Sequence, residues 1–86
     1  MSTRFAAILQ AVLPAGHTAV YVPAEDCTMD AQVDVLKAGA YCCHVQLGHG
    51  CYSVARWHAE QGMLETFGDF GRVGAAVECL LAQLGK

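Results

Sequence analysis

The sequence lacks the short motifs that mark catalytic or cofactor-binding centres. It also lacks a run of about 20 apolar residues, which a helix needs to cross a bilayer. Charged residues are scarce, at 15% of the chain. Catalysis usually requires a water-excluding cleft, and a chain of 86 residues has little material to build one. We therefore expect a protein that is not an enzyme and holds no cofactor, and the lack of a long apolar run predicts that it does not enter a membrane.

An excess of positive charge is absent too. The chain has eight acidic and five basic residues, a net charge of −3. Binding to a nucleic acid backbone depends on Lys and Arg, so this balance argues against a nucleic acid partner.

The five cysteines include no C-x-x-C pair, and their number is odd. No secretion signal precedes them, so the pattern is typical of free thiols in a reducing cytoplasm rather than of a disulfide framework. We therefore predict a cytoplasmic location.

Length and apolar content predict one domain over residues 1–86. A chain of 86 residues buries roughly 60% of its unfolded surface, which is enough for a single core. Apolar residues make up 55% of the sequence, far from the composition of a disordered chain.

Three glycine-closed turns divide the middle of the chain, at residues 37–39, 48–50 and 59–62. Each of the first two has three residues with glycine last, as in a type I turn followed by a left-handed residue. Apolar and β-branched residues fill the intervals, which predicts an antiparallel β-meander.

Strands are predicted at residues 18–22, 32–35, 40–47, 51–58 and 63–67. The second of these is ambiguous, because Thr28 could instead cap a short helix carrying Met29, Val33 and Leu36. We favour the strand since it completes the meander.

Helical periodicity flanks the meander on both sides. Ser2 or Thr3 can cap an opening helix that ends at Pro14, and Asp69 can cap a closing helix that ends at Gly85. We interpret Gly71 and Gly74 as positions where this last helix approaches the sheet closely. The predicted fold is α+β: a meander of four to five strands with the N-terminal and C-terminal helices packed on one face.

If the residues flanking each three-residue turn are paired, the two faces of the sheet can be assigned. The predicted buried face collects Val33, Val35, Tyr41, Cys43, Val45, Leu47, Cys51, Ser53, Ala55 and Trp57. The predicted exposed face mixes aromatic, imidazole and guanidinium groups without lysine, a composition typical of protein interfaces. Its candidate partner-binding residues are Asp34, His44, Gln46, Tyr52, Val54, Arg56 and His58, and the same face is predicted to carry Gln32, Leu36 and Cys42.

This face predicts a non-enzymatic module that occupies a surface of a larger protein or protein complex. An ordinary solvated face is the alternative, because antiparallel sheets commonly leave one side to water. A homodimer through the same face is a second alternative.

A small Cys/His metal or redox protein is the alternative from a different class. Cys42, Cys43 and His44 are adjacent, and thiolates and imidazoles suit zinc. Further candidate ligands nearby are His49, Cys51 and His58. The predicted register points these side chains to opposite faces, so we expect no metal site.

In size and style the chain resembles the small single-domain proteins of phages and mobile elements, including anti-CRISPR inhibitors. The resemblance implies a cytoplasmic protein that blocks a larger one. It assigns no role to any individual residue.

Overall fold

The computed structural model describes residues 2–24, 31–48 and 50–85. Its elements follow the order α1 (Ser2–Val12), β1 (His17–Val22), β2 (Ala31–Lys37), β3 (Ala40–Gly48), β4 (Cys51–His58), β5 (Met63–Phe70) and α2 (Val73–Leu84). The five strands form one antiparallel sheet in chain order, which confirms the α+β prediction and the choice of a strand at β2.

Both helices cover the same face of this sheet. Helix α1 lies over β1 and β2, and α2 lies over β3, β4 and β5. Among the described residues, nine are buried in the core between the layers: Phe5, Leu9, Val33, Val35, Cys43, Val45, Val54, Ala76 and Leu80. Side chains of both helices and of the sheet contribute to this core, and their burial supplies the main stabilisation of the fold.

The free edge of β1 is partly occupied by a side chain of α1. The Gln10 side-chain amide donates to the carbonyl of His17 (3.1 Å), and its oxygen accepts from the N–H of Ala19 (2.8 Å). Unpaired strand edges can pair with other chains, so Gln10 satisfies backbone groups that would otherwise remain open.

The β2–β3 hairpin has a two-residue loop rather than the three-residue loop predicted. Lys37 pairs with Ala40, and both loop residues have positive φ, 51° at Ala38 and 84° at Gly39. This is the signature of a type I′ turn, whose twist matches that of the strands.

A β-bulge in β3 offsets the shorter loop. Pairing passes from Leu36–Tyr41 to Val35–Cys43, which leaves Cys42 as the extra residue. Cys43 therefore faces the core as predicted, whereas Tyr41, predicted to be buried, lies on the other face beside Leu36. Cys42, predicted to be exposed, packs against the core.

The β3–β4 hairpin is also one residue tighter than predicted. Gly48 pairs with Cys51, which leaves two residues in the loop, and pairing continues without a shift to Cys43–Arg56. Because no bulge offsets the missing loop residue, every side chain of β4 lies on the face opposite to the predicted one.

Helix α2 starts later than its predicted cap at Asp69. Strand β5 continues to Phe70, aided by a bulge at Gly68 (φ 94°), and Arg72 is the N-cap residue. The Asp69 carboxylate instead accepts a hydrogen bond from the Ser53 hydroxyl (2.5 Å). Gly85 closes the helix as predicted.

The close approach predicted at Gly71 and Gly74 is not found, because a Cβ added at either position would meet nothing within 4 Å. The predicted roles of Thr28, Met29 and His49 concern positions outside the described residues, as do the side chains of Ser2 and Thr3.

Ala38 occupies a left-handed position that normally costs a non-glycine residue about 1 kcal/mol. Asparagine tolerates this conformation better, so Ala38→Asn should raise the free energy of unfolding by about 0.5–1 kcal/mol, measured by urea denaturation. Gly39→Ala is the matched control. Its Cβ would meet no neighbour, so it should destabilise through backbone strain alone. Destabilisation by Ala38→Asn would contradict the turn geometry.

Candidate protein-binding surface on the open face of the sheet

The face of the sheet opposite the two helices is uncovered in the described chain, and we call it the open face. Of the seven predicted partner-binding residues, Asp34, His44 and Gln46 lie on it. Cross-strand pairing places Asp34 opposite His44 and sets Gln46 between Gln32 and Ser53. Their predicted position on a common face is therefore confirmed.

Tyr52 and Val54 do not lie on the open face, which corrects their predicted exposure. Val54 is 0% exposed and pairs with Val45 inside the core. Tyr52 packs against the core, and the centroid of its ring is 5.4 Å from the centroid of the Phe5 ring. Both corrections follow from the tighter β3–β4 loop.

Arg56 and His58 also lie on the helix side of the sheet, near the β4–β5 turn. Arg56 pairs across the strands with Cys43 and Glu65. The Nε2 atom of His58 is 2.9 Å from Oε1 of Glu65. These two predicted contact residues are therefore separated by the sheet from Asp34, His44 and Gln46.

An apolar row crosses one end of the open face, and Leu36 is the one member of it that the sequence prediction places there. Leu36 of β2 pairs with Tyr41 of β3, and Trp57 of β4 pairs with Leu64 of β5. The ring centroids of Tyr41 and Trp57 are 6.4 Å apart, which joins the two pairs. The apolar row therefore consists of Leu36, Tyr41, Trp57 and Leu64. Leu64 is 44% exposed, and Val20 on the edge strand β1 is 40% exposed on the same face.

A signal for this arrangement is present in β4. Tyr52 and Val54 are larger and more apolar than Ser53 and Ala55, so the first pair is the better choice for a core. Strand alternation then places Trp57 on the open face.

The middle of the open face is polar and internally hydrogen-bonded. The Gln32 amide donates to Asp34 Oδ1 (2.6 Å), and the Tyr41 hydroxyl is hydrogen-bonded to His44 Nδ1. Ala55 lies between His44 and Thr66 and is only 2% exposed, because these neighbours cover its short side chain.

Burial fixes the protonation of the Tyr41–His44 pair at neutral pH. It lowers the pKa of His44, although Asp34 opposes this shift. Burial, reinforced by the charge of Asp34, raises the pKa of Tyr41 to about 12. A neutral imidazole and a protonated phenol fit together when the hydroxyl donates to Nδ1, which makes Nε2–H the remaining donor of His44.

The open face combines two kinds of chemistry. It offers apolar area at one end, and carboxylate, amide and imidazole groups in the middle. No Lys or Arg occupies any of the paired open-face positions of the described strands. A complementary surface would therefore combine an apolar patch with hydrogen-bonding or cationic groups.

The thiols and imidazoles considered as metal ligands do not converge. Cys43 is buried at 1% exposure, where burial and the nearby Cys42 thiol raise its pKa to about 12, while His44 lies on the open face. Among residues 2–24, 31–48 and 50–85, no three His, Cys, Asp or Glu side chains are grouped so as to hold a metal ion.

Comparison with family models, curated proteins and solved structures gives no match for this chain. Within the described segments, no helix combines the length and apolar character needed to span a membrane. The open face is therefore interpreted from its own chemistry.

The lowered pKa of His44 predicts a loss of stability in mild acid. Unfolded His44 takes up a proton near its ordinary value of 6.5, before the folded protein does, so the free energy of unfolding should fall as pH drops from 6.5 through the lowered pKa. Above pH 6.5 this contribution is fully present.

Urea unfolding of the wild type and His44→Gln between pH 7.5 and 5 measures this effect. The variant lacks the titrating group, so its stability should decline less steeply over the same interval. Parallel curves for the two proteins would contradict the burial assigned to His44.

Proposed function

We propose that this protein is a non-enzymatic binding module whose open face occupies a surface of a larger protein. The observation that carries the proposal is the apolar row, which crosses four of the five strands and has no covering element in the described chain. Trp and Tyr are the residues most enriched among the strongest contacts of protein interfaces.

The distribution of polar groups supports the same function. Asp34 and His44 border the apolar row, and Gln46 lies one cross-strand pair further along the same face. All three can fix the orientation of a partner through hydrogen bonds. The backbone of the surface is a hydrogen-bonded sheet, so little conformational entropy would be lost on binding. We expect the partner to present an apolar patch beside a basic side chain.

Inhibition is one form that this function can take. A domain that covers a functional surface of a larger protein blocks it without chemistry, as inhibitors of the anti-CRISPR type do. A second copy of this chain is the alternative occupant of the open face.

Neighbouring residues of β5 provide a matched test. Leu64 on the open face and Met63 on the opposite face are 44% and 48% exposed. Leu64→Glu should remove partner binding, because it places a charge within the apolar row, whereas Met63→Glu should retain it. Neither substitution buries the new charge, so both variants should keep wild-type melting temperatures within a few degrees.

The measurement is capture of proteins from a cell lysate under reducing conditions by wild type and both variants, followed by mass spectrometry. A protein retained by wild type and Met63→Glu but lost with Leu64→Glu is the expected result. Loss with both variants, or with neither, would contradict binding through the open face. Light scattering of the purified protein distinguishes a second copy, since a dimer abolished by Leu64→Glu would identify self-association.

A further inference from the structure

A second surface lies on the helix side of the sheet, where the starts of α1 and α2 flank the end of the β3–β4 hairpin. It is a groove of about 500 Å³. This volume falls within the range of pockets that hold small organic molecules, roughly 300–1,000 Å³. The groove is on the face opposite to the apolar row, so the two surfaces do not overlap.

Apolar side chains line the groove from the sheet and from both helices. Phe5 and Tyr52, whose rings stack on each other, line it together with Leu47. Ile8 and Val73 line it from the two helices and remain 44% and 36% exposed. Two neighbouring helices leave this apolar surface in contact with water, where a ligand with a hydrocarbon chain would cover it.

Among the described residues that line the groove, Arg4 is the only charged one. Its guanidinium is permanently positive. None of the described carboxylates forms an ion pair with it, because the ion pair found among the described residues joins His58 and Glu65. An arginine beside an apolar groove complements a ligand with an anionic group at one end, and carboxylates match its forked geometry.

We propose that this groove binds a small amphipathic carboxylate of the medium-chain fatty acid class. The carboxylate pairs with Arg4, and the hydrocarbon chain covers Phe5, Ile8 and Val73.

Glycine in the wall provides a way to fill the groove without disturbing the fold. Gly71 lines it, has no left-handed φ, and a Cβ added there would meet nothing within 4 Å. Gly71→Leu should therefore fold normally and occlude the groove. Gly74→Leu is the matched control, because Gly74 is equally open but does not line the groove.

The test is calorimetric titration of the full chain with decanoate below its micellar concentration, compared with the uncharged decanamide. We expect saturable binding of one decanoate per chain and binding of decanamide that is about tenfold weaker or more, the loss typical of a hydrogen-bonded charge. Arg4→Gln should reduce decanoate affinity by a similar factor, whereas Lys37→Gln, which removes a charge elsewhere on the surface, should not. Gly71→Leu should abolish binding and Gly74→Leu should retain it.

Absence of saturable decanoate binding to the wild type would overturn the proposal. Equal affinity for decanoate and decanamide would overturn the role of Arg4, and unchanged binding to a folded Gly71→Leu variant would exclude the groove as the site. Circular dichroism of each variant establishes that its fold is intact before titration.

Discussion

The pairing of Gly48 with Cys51 is the constraint on which the rest of the structure depends. It leaves a two-residue loop and brings Val45 opposite Val54, both fully buried beneath the helices. Burying a valine side chain contributes about 1.5–3 kcal/mol, so a slip of one residue, which would move Val54 to the other face, is strongly disfavoured. The same pairing places Trp57 outside the core.

Two bulges complete the division of side chains between the faces. The bulge at Cys42 separates Tyr41 from Cys43, so that the tyrosine joins the open face while the cysteine enters the core. The bulge at Gly68 lets β5 continue beside β4 as far as Phe70, which pairs with Tyr52 on the helix side. Bulges of this kind re-aim side chains locally without ending the sheet. The aromatic content of the open face is thus a consequence of backbone irregularity as much as of sequence alternation.

The sequence was sufficient to predict the element order, the α+β class and the orientation of β2, because glycine positions and apolar periodicity report local conformation directly. It was insufficient for β4, since Gly48 can serve equally as a loop residue or as the last residue of a strand, and the two cases invert every side chain that follows. The prediction that Asp69 caps α2 is wrong for a related reason. Its short carboxylate suits a helix cap and a cross-strand hydrogen bond to Ser53 equally well. Of the predicted partner-binding residues, those that precede the β3–β4 loop, Asp34, His44 and Gln46, therefore lie on the open face, whereas those of β4 do not.

Trp57 is the only tryptophan in the chain and lies in the apolar row at one end of the open face, which makes it the most direct probe of the whole arrangement. Nuclear Overhauser spectroscopy of the isotope-labelled protein measures which protons lie near its indole ring. We predict cross-peaks from Trp57 to the Tyr41 ring and to the methyl groups of Leu64. Cross-peaks from Trp57 to Leu80, the fully buried leucine of α2, would instead place the indole beneath the helices and contradict both the hairpin register and the open face built on it.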